Sequence, residues 1–316
     1  MPDDFPLIGW TGTGRMGFAL AGRLLDAGIP LALYNRTRAK AEPLAARGAG
    51  AVVVHDVRQL GLCDVVFTMV AGSDDFAEVT TGSRGLLTAD ATPRVIVDCS
   101  TVGAEVSAAV RAAAAETGTA LLAAPISGNP KVVAVGRASL VVSGPEDAFR
   151  RVLPLLAALG GSVTYVGTGE AARLVKLAHN MVLAVVAQAL AESVVLAERH
   201  GVSRAAYLEF LNSSVLGSAF SRYKSPALVG LDFTPTFTTA MLRKDLDLGL
   251  AAARAAEVPM PLTAAVHQLV QAAVGAGHGG SDFAALLLEQ ARAAGLTLAP
   301  EDADVDDGLS GTGSLR

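Results

Sequence analysis

From residue 5 to residue 166, short apolar and β-branched runs alternate with helical stretches, and nothing else in the chain constrains its fold as tightly. Strands are expected at 5–10, 31–34, 51–54, 64–70, 94–98, 120–124, 139–143 and 162–166. Helices are expected between them at 16–27, 38–47, 74–80, 104–116 and 146–159. A strand reaches a parallel neighbour only through a long crossover, usually a helix, so this pitch predicts βαβ units and a mainly parallel sheet. After Gly169 the β-branched runs stop, and helical spacing persists to about residue 297.

The first strand runs directly into Gly12-Thr13-Gly14-Arg15-Met16-Gly17, and a helix follows at once. This is G-x-G-x-x-G in the strand–turn–helix setting it requires. Gly12 permits the tight turn, Gly14 lets the backbone approach a diphosphate, and Gly17 lets the helix pack on the strand. The unpaired N–H groups and positive dipole end of the helix then meet the anion. The fold expected is therefore α/β: an N-terminal Rossmann-type doubly wound sheet over 1–168, then an all-α domain over 169–298, joined by a long interdomain helix. A disordered acidic tail is expected over 299–316.

Dinucleotide folds that take NAD tend to carry an acid at the end of the second strand, some twenty residues past the turn. Here the strand ends in Asn35-Arg36-Thr37-Arg38. No carboxylate stands there to repel a 2′-phosphate, and an arginine can grip one bidentately, so NADP is expected over NAD. The bland alternative is a pair of solvated turn arginines. The ends of the fourth and fifth strands, Val70-Ala71-Gly72 and Ser100-Thr101, are small or polar, as a ligand beyond the carboxyl edge of a sheet requires.

Composition removes several other classes. Apolar residues make up 51 % of the 316 and charged residues 17 %, enough for large cores. The net charge is −5, but Glu301, Asp302, Asp304, Asp306 and Asp307, offset only by Arg316, place nearly all of it in the tail. The body is close to neutral and only 5 % of residues are aromatic, so no nucleic-acid partner is expected. Cys63 and Cys99 are too few for a disulfide framework or a four-thiolate metal site. The five histidines show no ligand spacing, so no metal is expected. Residues 1–6 lack a basic signal-peptide start, which points to the cytoplasm. The apolar stretch 174–197 carries Lys176, His179, Asn180, Gln188 and Glu192, which favours a buried helix over a membrane span.

On that helix Lys176 and Asn180 share a face, one turn apart, among apolar neighbours. Periodicity leaves two readings open. Lys176 snorkels to solvent, or it is a buried amine able to exchange a proton near neutral pH. Pro125-Ile126-Ser127-Gly128 is likewise either an ordinary turn or a hydroxyl and N–H pair for a carboxylate. Ser221-Arg222-Tyr223-Lys224 reads superficially as the Ser-x-x-Lys of penicillin-recognising enzymes, but its partner motifs are missing.

Taken together, these pieces resemble the β-hydroxyacid dehydrogenase family, which includes 3-hydroxyisobutyrate dehydrogenase and the glyoxylate/succinic semialdehyde reductases and is related to 6-phosphogluconate dehydrogenase. The resemblance spans residues 7 to 295 and rests on five ordered motifs. These are residues 8–17, Asp98-Cys99-Ser100-Thr101, Pro125-Ile126-Ser127-Gly128, the run from Gly167-Thr168-Gly169 through Lys176 and Asn180, and Phe237 followed by Lys244-Asp245-Leu246. It implies an NADP(H)-dependent oxidoreductase interconverting a small β-hydroxyacid and its aldehyde or keto acid. Lys176 would be general acid/base with Asn180 beside it; Ser127, Gly128, Thr101 and Phe237 would meet the substrate. Gly12 through Gly17 (Thr13, Gly14, Arg15 and Met16 included), Asn35, Arg36, Thr37, Val70, Thr101 and Lys244 would meet the cofactor. It also implies a homodimer or homotetramer formed through the helical domain. The Asn-Arg-Thr ending resembles NADP-using members. Ala123, Asn129-Pro130 and His179 depart from the common pattern and leave the substrate open. The alternatives are an imine reductase-like NADPH enzyme, against which the retained lysine argues, and a non-catalytic dehydrogenase-like oligomerisation or binding module.

Overall fold

The computed structural model describes residues 7–47 and 50–309. Residues 1–6, on which the expectation about a signal peptide rests, lie outside them. Two compact units divide the chain, Met1–Lys176 and Leu177–Arg316.

The first unit opens with β1 (Ile8–Thr11), α1 (Arg15–Asp26), β2 (Leu31–Tyr34), α2 (Glu42–Ala45) and β3 (Val52–Val53). It continues through β4 (Val65–Thr68), α3 (Ser73–Thr81), β5 (Val95–Asp98), α4 (Ala104–Glu116) and β6 (Ala120–Ala123). These six strands form one parallel sheet in the order β3-β2-β1-β4-β5-β6. The order reverses direction at β1, where a doubly wound fold binds its ligand. Period-2 alternation explains why β4 and β5 read as unbroken apolar runs. Val65, Phe67, Val95 and Val97 enter one core with Leu20, Leu24 and Val152, while Val66 and Ile96 enter another with Leu60, Phe76 and Val110. Trp10 stacks on Phe67 across neighbouring strands, ring centroids 5.5 Å apart.

The later strands correct the expectation of one sheet. β7 (Ile126–Ser127), α5 (Pro130–Ala134), β8 (Ser139–Val142), α6 (Glu146–Leu159) and β9 (Ser162–Tyr165) build a second, three-stranded sheet, with β7 antiparallel to β8. The β5–β6 ladder ends with Ala124 N donating to the Asp98 carbonyl at 2.7 Å, and the next carbonyl, that of Pro125, accepts Val141 N at 3.2 Å, so the chain passes there to the second sheet. The expected helix over 38–47 is also corrected. It is a short 3₁₀ turn at Arg38–Lys40 followed by α2, because Pro43 is tolerated only in a first helical turn.

The 29-residue α7 (Ala171–Arg199) is long and apolar enough to cross a bilayer, with a mean hydropathy of 1.8 over its best window. Half of that window is buried within the molecule. The unit boundary falls inside this helix, not at Gly169 as the sequence suggested, because side chains bind its first turns to the sheet. Ala172 N donates to Ser143 Oγ at 3.0 Å, and Arg173 Nη1 donates to the Ser100 carbonyl at 3.1 Å. Arg173 Nη2 also meets Asp98 Oδ2 at 2.8 Å as a fully buried ion pair.

In the second unit the rest of α7 packs with α8 (Arg204–Ser213), α9 (Ala219–Gly230), α10 (Thr239–Ala255), α11 (Pro261–Gly275) and α12 (Leu286–Ala293). Ala184, Ala187, Ala191 and Val194 recur at helical spacing and meet Leu208, Leu242, Leu246, Val270 and Leu287.

The tail from residue 299 is not free over its described part. The Glu301 carboxylate accepts the Arg204 and Ala205 N–H groups at 2.7 and 3.0 Å, capping α8, and Val305 packs on the helical core. Residues 310–316, the rest of the tail expected to be disordered, lie outside the described residues. Glu301→Ala is expected to cost about 1–2 kcal/mol, the value of a lost helix cap. A lowered thermal midpoint, with cofactor affinity unchanged, is the readout.

Candidate active site

The glycine turn is built as its spacing requires. Gly12 has φ +91°, and a Cβ there would lie 2.1 Å from the Met69 carbonyl oxygen. A Cβ on Gly17 would lie 2.0 Å from the Gly12 oxygen. Gly14 is the opposite case: its φ is −65°, and no atom comes within 4 Å of a Cβ built there. The backbone at Gly14 therefore faces open space at the start of α1, where the first N–H groups have no intrahelical partner. Thr13 adds a buried hydroxyl with no hydrogen-bond partner among the described residues. An open glycine backbone, a helix start and an orphaned hydroxyl fit a dinucleotide diphosphate.

Asn35 braces this turn. Its Oδ1 accepts the Thr13 N–H at 2.8 Å, and its Nδ2 donates to the Thr37 carbonyl at 2.8 Å. An aspartate could do only the first. Arg36 is exposed and pairs with Asp75. Arg38 turns away to Glu42, the Val53 carbonyl and His55. Val70 N donates to Ser100 Oγ at 2.9 Å and Gly103 N to Ser73 Oγ at 3.0 Å, so the loops after β4 and β5 are tied to each other. Thr101 is half-buried in the second of them. The first unit thus brings Gly12 to Gly17, Asn35, Arg36, Thr37, Val70 and Thr101 to the carboxyl edge of one sheet.

Ser127 and Gly128 lie at the end of β7, in the smaller sheet. Gly128 has φ +133°, which only glycine adopts readily. The Asn129-Pro130 departure has a local reason. The Asn129 side chain accepts the Val132 N–H at 3.0 Å and caps α5, with proline at its first position.

On α7 the anchored Arg173 is followed one turn later by Lys176, whose residue exposure is 8 %. Another turn on, in the second unit, Asn180 is buried and its Nδ2 donates to Asp245 Oδ2 at 2.6 Å. Asp245 Oδ1 pairs with Lys244 Nζ at 3.2 Å. Asn180 and Lys244 are thus brought together through a buried carboxylate to which the sequence reading gave no role. The Lys244-Asp245-Leu246 motif was its only signal. Phe237 lies edge-on to Phe283, ring centroids 5.8 Å apart.

Other candidates resolve into structure. Lys224 Nζ binds Asp282 Oδ1 at 2.5 Å, and Ser221 Oγ donates to Asn212 Oδ1 at 2.7 Å, so the Ser-x-x-Lys pair has other partners. Burial pushes the Cys63 thiol up to about 12, assisted by Asp64, and raises that of Cys99, assisted by Asp98; neither is a ready nucleophile.

Residues 7–167 match the NAD-binding domain of 6-phosphogluconate dehydrogenase, and residues 167–289 match the NAD-binding element of NADP-dependent 3-hydroxyisobutyrate dehydrogenase. An L-threonate dehydrogenase of Cupriavidus necator is 32 % identical over 89 % of this chain and 94 % of its own. A solved 3-hydroxyisobutyrate dehydrogenase from Salmonella typhimurium superposes with a TM-score of 0.81 at 26 % identity, over 89 % of this chain and 99 % of its own. A solved complex of Psf3 with NADP+ and 2-OPP gives the same TM-score and identity, over 90 % and 99 %.

Proposed function

The chain belongs to the β-hydroxyacid dehydrogenase family, an NAD(P)-dependent group, and from that premise we propose that it interconverts a small β-hydroxyacid and its aldehyde or keto acid with NADP(H), using Lys176 as general acid/base. The bound nicotinamide supplies or accepts the hydride at the substrate carbon. In the reducing direction the Lys176 ammonium gives its proton to the oxygen as charge develops there. In the oxidising direction the neutral amine takes the hydroxyl proton. Proton transfer of this kind contributes about 10²–10⁴-fold to rate.

The single observation that carries this reading is the burial of Lys176, which is 8 % exposed as a residue and stands one turn beyond an arginine locked to the end of β5. A buried lysine needs a reason, since desolvating an ammonium is costly. Asn180, held by Asp245, presents an amide oriented for a substrate oxygen. Ser127 and Gly128 offer a hydroxyl and an N–H to the substrate carboxylate, with Thr101 and Phe237 shaping its site. Gly12 through Gly17, Asn35, Val70 and Lys244 hold the cofactor. Arg36 and Thr37, with no acid between them and Tyr34, favour the 2′-phosphate.

A steady-state screen with NADPH and NADH tests chemistry and cofactor choice together. It would cover glyoxylate, succinic semialdehyde, tartronate semialdehyde and the 3-hydroxyisobutyrate pair. Turnover of at least one, with a higher kcat/KM for NADPH, is the expected result. Silence across the panel would favour a binding module that has lost its chemistry.

The same proposal places the protein in the cytoplasm, where two free, buried cysteines suit a reducing compartment. It also makes the protein a homodimer or homotetramer through the helical unit. Supporting this, Val182 and Leu262 stand exposed beside Met181, Pro259 and Met260 around an apolar depression of about 460 Å³. A monomer mass by light scattering would overturn it.

A further inference from the structure

The arginine expected to read the 2′-phosphate already holds a carboxylate. Arg36 Nη1 lies 3.0 Å from Asp75 Oδ1. Arg36 follows β2 and Asp75 lies in the first turn of α3, which follows β4. β2 and β4 are the two neighbours of β1, so this ion pair bridges the loops on either side of the glycine turn. The pair is exposed, with side-chain accessibilities of 84 % and 34 %, so it adds little to the fold. The Asp75 carboxylate engages Arg36 through Nη1, which leaves the Nε and Nη2 edges of the guanidinium for a second anion.

From this geometry we infer that Asp75 is a specificity-determining residue that weakens the hold of Arg36 on a 2′-phosphate and so narrows the preference for NADP over NAD. The inference rests on the reading of Arg36 as the phosphate's partner. A phosphate seated on the remaining edges of the guanidinium carries up to two negative charges and shares that cation with the Asp75 carboxylate. Repulsion between the two anions opposes binding. A ribose bearing only hydroxyls carries no charge for Asp75 to repel. Asp75 therefore acts on one cofactor and not the other. The sequence alone hides this, because the two residues are 39 positions apart.

The test is equilibrium binding to the full chain without substrate, by calorimetry or by nicotinamide fluorescence, with NADPH, NADH and adenosine 2′,5′-bisphosphate. Asp75→Asn keeps the shape and removes the charge. It is expected to tighten NADPH and the bisphosphate by about three- to tenfold at low salt, with the gain shrinking in 0.5 M salt. NADH affinity should stay within about twofold. Weaker NADPH binding would mean that Asp75 holds Arg36 in place for the phosphate. That outcome, no change, or an equal change for both cofactors would overturn the inference. Arg36→Ala in parallel tests the reading beneath it: NADPH affinity should fall towards that of NADH. If the alanine variant binds NADPH as wild type does, the phosphate lies elsewhere and both readings fail. If it weakens NADPH while Asp75→Asn changes nothing, only the role of Asp75 fails.

Discussion

Replacing Lys176 with alanine should lower kcat by about 10²–10⁴-fold while the dissociation constant for NADPH stays within about twofold. The two readouts separate because the diphosphate cradle at Gly12 to Gly17 is built by β1, β2 and α1, and Lys176 contributes to none of them. Folding should not suffer. Alanine has the higher helix propensity, so α7 itself is not weakened, and a thermal midpoint measured beside kcat separates lost chemistry from lost fold. Lys176→Arg sharpens the test. It keeps a positive charge, but a guanidinium stays protonated throughout the working range and cannot serve as a proton donor and acceptor. If Lys176 acts by proton transfer, arginine should be nearly as poor as alanine; if it acts only by attracting a carboxylate, arginine should recover most of the rate. An alanine variant with near-wild-type turnover on the true substrate would remove Lys176 from the chemistry.

What was legible in the sequence was local. β1, the glycine turn and α1 follow from a strand, three glycines and an amphipathic run, and α4 and α6 begin and end where the pattern places them. The misreadings share one cause, which is pairing across the chain. Alternation at 139–143 and 162–166 marks strands but does not name their partners, so the smaller sheet was invisible. The unit boundary moved because Arg173 finds Asp98 and Ser100, more than seventy positions away, and nothing in a helical repeat announces that. Glu301 reads as one acid in a polar tail, yet Arg204 and the open end of α8 give it a binding place. Asp245 was hidden for the opposite reason. It sits in a visible motif beside a lysine, and only its burial between Asn180 and Lys244 shows that the carboxylate positions other groups.

Two glycines separated by a single residue should fail in opposite ways, which makes the cradle itself testable. At Gly14 an alanine Cβ meets nothing and the backbone angles suit any residue, so the thermal midpoint should be unchanged. The same methyl stands where the diphosphate must approach, so Gly14→Ala should weaken NADPH by about ten- to a hundredfold. At Gly12 the Cβ would collide with the Met69 carbonyl in a left-handed conformation, and the expected cost is to the fold, about 2–5 kcal/mol from overpacking and backbone strain combined. Thermal unfolding and NADPH titration of both variants check this. Gly14→Ala with full affinity would mean that no diphosphate lies on this turn, and an undisturbed Gly12→Ala would mean that β4 does not close against it as tightly as Met69 suggests. The contrast matters more than either value, because a general loss of stability lowers both readouts together, whereas a binding cradle requires the affinity to fall at Gly14 with the fold intact.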